Sequence, residues 1–180
     1  RFTGNVMIHS VNWDGAPSEF AQRGMLMNSI WNTNPLWLAG FASSAAQFAA
    51  DFNQTYCVSH QEDDGLVTIG SREWKDYKVE SIVYFSLHKS GGLVVRSTGH
   101  TAQIFMQKDG NRKILTETEF IYVEDKPYKL QFAAYGNQLS FWVNEEKILC
   151  TSDAAYTCGG AGFTISKGTM TCDSFIVLGE

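Results

Sequence analysis

Paired carboxylates are the commonest means of cleaving a glycosidic bond, one acting as acid and the other as base or nucleophile. Glu62, Asp63 and Asp64 cluster ahead of Gly65, but a DDG run reads most simply as a turn. Glu80 and Glu117 are candidates by position alone, and no strand carries a Glu-x-Asp-x-x-Glu run. The four histidines, His9, His60, His88 and His100, fall in strand-like runs or turns, and no serine sits in a nucleophile elbow. His60 or His100 could touch a ligand; otherwise they are surface histidines. The cysteines at 57, 150, 158 and 172 contain no C-x-x-C pair and no histidine at zinc-finger spacing, so a structural zinc site is not expected. Cys57 and Cys172 lie in strand-like runs near the two ends of the sandwich sequence, and Cys150 and Cys158 flank one loop. Two disulfides and four buried thiols fit this pattern equally.

A different set of residues suits holding a sugar. An aromatic face covers the apolar side of a sugar ring, while planar amides, carboxylates and guanidinium groups fix its hydroxyls. Trp142 is offset by one from Leu139, Phe141 and Val143, so it faces away from their side. Arg96 stands among apolar neighbours and needs a carboxylate or a ligand if buried. Glu80, Tyr84, Gln103 and Gln131 are expected to line the same concave sheet. The competing structural reading pairs Arg96 with Glu80 and packs Trp142 under a loop or the N-terminal lead-in. Trp74 and Tyr77 are expected to anchor a corner of the core.

The elements that would position these groups centre on residues 70–110. Val79, Ser81, Val83, Phe85 and Leu87 alternate with Glu80, Ile82, Tyr84, Ser86 and His88, the period of a strand with one wet face. Gly91-Gly92 releases a second run through Ser97, and Ala102, Ile104 and Met106 alternate within a third. Further strands are expected over 6–13, 55–61, 66–69, 113–118, 120–123, 128–135, 139–143, 148–151, 162–166 and 173–178. Turns are expected at Asp63-Asp64-Gly65, Gly136-Asn137, Asn144-Glu145 and Gly168. Ser18 is expected to cap a short helical stretch, and residues 36–52 leave helix, strand and extended collar open. Short strands at this spacing describe an all-β fold, a β-sandwich or jelly roll of two antiparallel sheets with an irregular N-terminal lead-in. The domain expectation is one unit over 1–180, with 1–54 as lead-in or collar and 55–180 as sandwich core.

Composition narrows the partners. The 180 residues are 44% hydrophobic, enough for a packed core, and the net charge is −5. The 14 Lys and Arg are scattered, so neither the basic stripe that nucleic acid needs nor a run suited to an anionic membrane is present. No apolar segment approaches a membrane span. A start at Arg1 without an initiator Met suggests a piece of a longer protein.

Several motifs resemble the concanavalin A-like jelly rolls. These are Gly70, Trp74, Asp76 and Tyr77; Gly-Leu-Val-Val-Arg at 92–96; Gly-Asn-Gln-Leu-Ser-Phe-Trp-Val-Asn at 136–144; Gly-Gly-Ala-Gly-Phe at 159–163; and Asp-Ser-Phe-Ile-Val at 173–177. This likeness covers roughly residues 55–180. The Trp-Asn-x-Asn-Pro-x-Trp segment at 31–37 and Ser-Ser-Ala at 43–45 resemble one subgroup, the accessory β-sandwich that follows the catalytic domain in bacterial ADP-ribosylglycohydrolase family proteins. That subgroup is distantly similar to levan-binding carbohydrate modules. The chain departs from it at Thr101, Ala102 and Gln103, where relatives tend to carry arginine and tyrosines.

The resemblance implies a non-catalytic role; joined to the sugar-holding set above, the reading is an accessory module that binds a glycan through Glu80, Tyr84, Arg96, Gln103, Gln131 and Trp142. The alternatives are a structural module that packs on the catalytic domain of the same parent chain, motivated by Trp31 and Trp37, and a small glycoside hydrolase. Sandwiches of this class often bring a carboxylate at the start of the last strand to a structural calcium, which makes Asp173 a candidate; the other reading is a strand-edge carboxylate bonded to main-chain amides. A sugar ligand and four cysteines suit a periplasmic or extracellular location.

Overall fold

The computed structural model describes residues 19–23, 41–50, 56–98, 103–104, 115–124 and 126–179. Its elements are the strands β1 (Glu19–Arg23), β2 (Ala42–Ser43), β3 (Gln47–Ala50), β4 (Tyr56–Ile69), β5 (Tyr77–Phe85), β6 (Ser90–Ser97), β7 (Gln103–Ile104), β8 (Pro127–Tyr135), β9 (Gln138–Val143), β10 (Glu146–Ser152), β11 (Gly160–Cys172) and β12 (Ser174–Gly179). All pairings are antiparallel, and they form one hydrogen-bonded network in the order β10-β9-β8-β5-β11-β4-β2. β12 and β1 continue from β5, β6 and β7 from β11, and β3 from β4. This is the all-β sandwich expected from the alternation.

β5 shows why the prediction works. Tyr77, Val79, Ser81, Val83 and Phe85 are buried while Lys78, Glu80, Ile82 and Tyr84 are half-buried on the other face. The inward set joins Leu130, Phe132, Phe141, Phe163, Ile165 and Phe175 in one apolar core. Each large side chain so buried contributes about 1.5–3 kcal/mol. The alternation ends with the strand: Leu87, expected inside, is 79% exposed because the chain leaves the ladder after Phe85.

Two expected turns lie inside strands. β4 and β11 run together past Asp63-Asp64-Gly65 and past Gly168, and both bulge where they meet. Between the Asp64–Ser166 and His60–Gly168 pairs, residues 61–63 face Lys167 alone, whose φ is +49°. The insertion exchanges faces on both strands: Val58 and Met170 point inward on one side of it, Val67 and Ile165 on the other. Gly168 is required there, since a Cβ would stand 2.0 Å from the Leu87 carbonyl oxygen.

Elsewhere pairing overrides local signals. The helical stretch expected after Ser18 is instead β1, which covers the edge of β12. Within 36–52, β2 and β3 are strands on β4, and Phe41 packs edge-on against Phe48 and Phe175. Of the strands expected over 113–118 and 120–123, the described part, residues 115–123, lies outside every ladder. The strand expected at 6–13, His9, His100, Trp31 and Trp37 fall outside the described residues. Cys57 faces Thr171 and Cys172 faces Tyr56 on neighbouring rungs, so the pleat sends the two thiols to opposite sides and no disulfide joins them. Cys150 is exposed on β10.

Candidate functional site

Two tight turns set the register of the outer face. Gly136, with φ +53°, opens the two-residue β8–β9 turn. Asn144 and Glu145 both have positive φ, the requirement of a two-residue turn that matches strand twist, and they join β9 to β10. Asn144 also locks back onto β8, its Oδ1 accepting the Lys129 N–H at 2.9 Å and its own N–H donating to the Lys129 carbonyl at 2.8 Å. With register fixed, Ile176, Glu80, Gln131, Trp142 and Lys147 fall on successive rungs of β12, β5, β8, β9 and β10. Three of the sequence candidates thereby become neighbours: Glu80 and Trp142 flank Gln131, spanning roughly 10 Å across two strand spacings.

The polar half of this row is tightly held. Gln131 Nε2 donates to Glu80 Oε1 at 2.8 Å, and Lys78 Nζ reaches the same oxygen at 2.6 Å. Lys129 Nζ lies 3.8 Å from Glu80 Oε2 and 3.1 Å from Glu145 Oε1. Partial burial pushes the Glu80 carboxyl up, but the hydrogen bonds from Lys78 and Gln131 and the charges of Lys78 and Lys129 outweigh it. The group therefore ionises below its ordinary range. The aromatic half is Trp142, half-buried, with Lys147 Nζ 5.0 Å from its ring centroid. Tyr84 lies on the same side of β5, opposite Pro127 and about 13 Å along the strand from Glu80.

Arg96 is not part of this surface. Its side chain is 1% exposed, and its φ of +52° takes it out of the strand alternation into a corner of the sandwich. There the guanidinium donates to the carbonyls of Gly136 at 2.6 Å, Tyr156 at 3.0 Å and Lys75 at 3.3 and 3.4 Å. Its carboxylate neighbour is Asp76, at 3.5 Å, rather than the Glu80 expected from sequence. Asp76 in turn accepts the Gly136 N–H at 2.6 Å. Behind the guanidinium, the Arg96 N–H donates to Tyr77 Oη, which shares its proton between the carbonyls of Gly159 and Gly160. Burial is the main cause that drives the Tyr77 phenol far above its ordinary range, so it stays a neutral donor. Trp74 closes the corner edge-on to Tyr77, as expected of these two anchors. Sequence alone could not show the clamp, because its acceptors are main-chain carbonyls. Gln103 lies on β7, paired with Val95.

Two other places drew attention in the sequence. Asp173 occupies the bend between β11 and β12, its N–H bonded to the Ile82 carbonyl at 3.2 Å. Its Oδ1 is buried without a hydrogen-bond partner, and burial is the leading cause that raises its carboxyl above the ordinary range. A cation would complete that oxygen, but calcium needs about six to eight oxygens, and among the described residues no group of three acidic, histidine or cysteine side chains converges. His60 lines a shallow polar pocket of about 290 Å³ with Gln61, Lys167, Gly168 and Thr169 beside the paired bulges. Its Nδ1 accepts the Ala46 N–H at 3.0 Å, which leaves any ring proton on Nε2. This pocket lies on β4 and β11, away from the β5–β8–β9 row, in which Gln131 is buried and Glu80 and Trp142 are half-buried.

Among known structures the sandwich has clear counterparts. It is similar to the carbohydrate-binding module CBM66 from Bacillus subtilis, with a TM-score of 0.63 and 15% identity over 74% of this chain and 92% of that one. A Bacillus subtilis protein of unknown function with a galectin-like fold follows at 0.57 and 13%, covering 81% of this chain and 92% of the other. The Trypanosoma rangeli sialidase in complex with sialic acid reaches 0.50 at 12% identity, covering 76% of this chain but 27% of the enzyme. No family model and no curated protein sequence matches the chain. The fold class is a galectin-like, CBM66-like jelly-roll β-sandwich.

Proposed function

We propose that this sandwich is a non-catalytic carbohydrate-binding module whose ligand lies across the outer face of β5, β8 and β9. The observation that carries the reading is the row Glu80–Gln131–Trp142, which sets an aromatic platform one rung from an amide and two from a carboxylate. Trp142 would cover the apolar face of a sugar ring. The Gln131 amide and the remaining lone pairs of Glu80 would meet its hydroxyls, and Tyr84 would contact a further residue of a longer glycan. Arg96 supports this from behind by fixing the β8–β9 turn at Gly136.

The same geometry argues against glycoside hydrolysis on this face. A glycosidase acid must hold its proton near neutral pH. Glu80 is shifted the opposite way, and the ammonium of Lys129 stands between it and Glu145. Placement beside an ADP-ribosylglycohydrolase-like catalytic domain and action outside the cytoplasm extend the proposal, supported by the sequence resemblance at 31–37 and 43–45. A parent chain without such a domain would remove that extension. The candidate calcium belongs with it too, Asp173 offering one oxygen.

Calorimetric titration against a panel of neutral and acidic polysaccharides tests the central reading. Binding to at least one glycan, lost on Trp142→Ala and weakened by Gln131→Ala, is expected. Silence across the panel, or Trp142→Ala binding like the parent, would refute it.

A further inference from the structure

The exposed large apolar side chains among the described residues are Leu87, Phe120, Ile121, Tyr122 and Val123, four of them consecutive. A run of this kind on a folded surface marks an interaction site more often than an accident of folding. Residues 115–123 run without a bend, and over 120–123 their side chains divide with a period of two. Phe120 packs edge-on against Tyr128, and Tyr122 packs against Phe85 and His88, so the even positions face the body. Ile121 at 93% exposure and Val123 at 50% point away from it, Glu117 and Glu119 are exposed ahead of them, and Leu115 turns back onto the core. Residues 120–123 therefore have the side-chain arrangement of a strand without a strand's pairing. Only at Val123 does its main chain bond to another described residue: the N–H donates to Tyr128 Oη at 2.8 Å, and the carbonyl accepts the Lys126 N–H at 3.4 Å.

An extended backbone with open donors and acceptors, held in place by aromatic contacts on one side, is a template for strand addition. We infer that residues 117–123 dock an extended segment of another protein, which adds as an antiparallel strand. Cross-strand neighbours then define its sequence chemistry: basic side chains opposite Glu117 and Glu119, and β-branched apolar side chains opposite Ile121 and Val123. The glutamates and the net charge of −5 disfavour an anionic lipid surface, and they disfavour a second copy of this chain.

The test uses the full chain and a labelled heptapeptide, Val-Thr-Val-Thr-Lys-Thr-Lys, in fluorescence polarisation. Two control peptides change one feature each: glutamate for both lysines, and N-methylation of the backbone amides that would face this chain. The expected results are saturable binding of the parent peptide, roughly tenfold weaker binding of the glutamate peptide and loss of binding on N-methylation. Ile121→Asp, at a site too exposed to unfold the sandwich, should abolish binding with an unchanged melting temperature. No binding of the parent peptide, or equal binding of the methylated or charge-reversed peptide, would overturn the inference. So would self-association of the wild-type chain that Ile121→Asp abolishes, or flotation with anionic vesicles, either of which assigns the strip another occupant.

Discussion

Arg96→Met separates the corner clamp from the glycan face. The substitution keeps most of the apolar stem and the same cost of positive φ, but removes every donor of the guanidinium. The carbonyls of Gly136, Tyr156 and Lys75 then lose their partner, as does the Asp76 carboxylate. Stranding a buried acceptor costs about 1–3 kcal/mol each, while the pair with Asp76, whose side chain is 44% exposed, adds about 1 kcal/mol or less. Lys75 and Gly136 are exposed residues, so water can replace part of the loss, and the low end, about 3 kcal/mol, is the reasonable expectation. For a chain of this length, that lowers the melting temperature by about 6–12 °C. Circular dichroism melts and urea titrations measure the loss, and calorimetry on the folded fraction measures glycan affinity. The clamp argument requires a large drop in stability and little change in affinity per folded molecule. A stability loss under about 1 kcal/mol, or a fully folded variant that no longer binds while Trp142→Ala still does, would refute it.

The other substitutions probe the face and the bend. Trp142→Ala should weaken glycan binding at least about tenfold while shifting stability by under about 1 kcal/mol, because the ring is half-buried at the surface. Glu80 ionises below its ordinary value of 4.5, so its ion pairs support the fold above that pH and fail as pH falls through the depressed value. Glu80→Gln should therefore flatten the acid limb of the stability profile by a few tenths of a kcal/mol, roughly the worth of a part-exposed ion pair, read by urea titration from neutral pH to pH 3. Asp173 has the opposite sign. Its carboxyl is raised above the ordinary 3.8, so its favourable contribution is complete at low pH and is lost as pH rises through the elevated value. Without metal, Asp173→Asn should raise the neutral-pH melting temperature by about 1–3 °C. If calcium completes the site, added calcium should stabilise the parent and not the variant.

Much of the sandwich was legible because its core strands keep strict alternation: the burial of β5 follows the sequence pattern residue by residue as far as Phe85. Glu80, Gln131 and Trp142 could each be assigned to an outer face, but their meeting on adjacent rungs depends on the lengths of the turns at 136–137 and 144–145, which set register. Asp63-Asp64-Gly65 misled because a bulge uses the same polar and glycine residues as a turn. Residues 115–123 misled for a different reason. Their pattern is that of a strand, yet no neighbouring strand among the described residues claims their main chain. Arg96 needed coordinates, since positive φ in a non-glycine residue has no sequence signature and reverses where the side chain points.

β11 has consequences for how the molecule comes apart. It is flanked by β4 on one side along its length and by β6 and then β5 on the other. Amides near Phe163 and Ile165 should therefore exchange with deuterium only when the whole molecule opens. β10, paired on one side alone among the described residues, should fray first, taking Lys147 away from Trp142 while the middle of the sandwich stays closed. Exchange measured by mass spectrometry would then show protection rising inward from the β10 edge, and a pull on that edge should peel the platform before it reaches the centre.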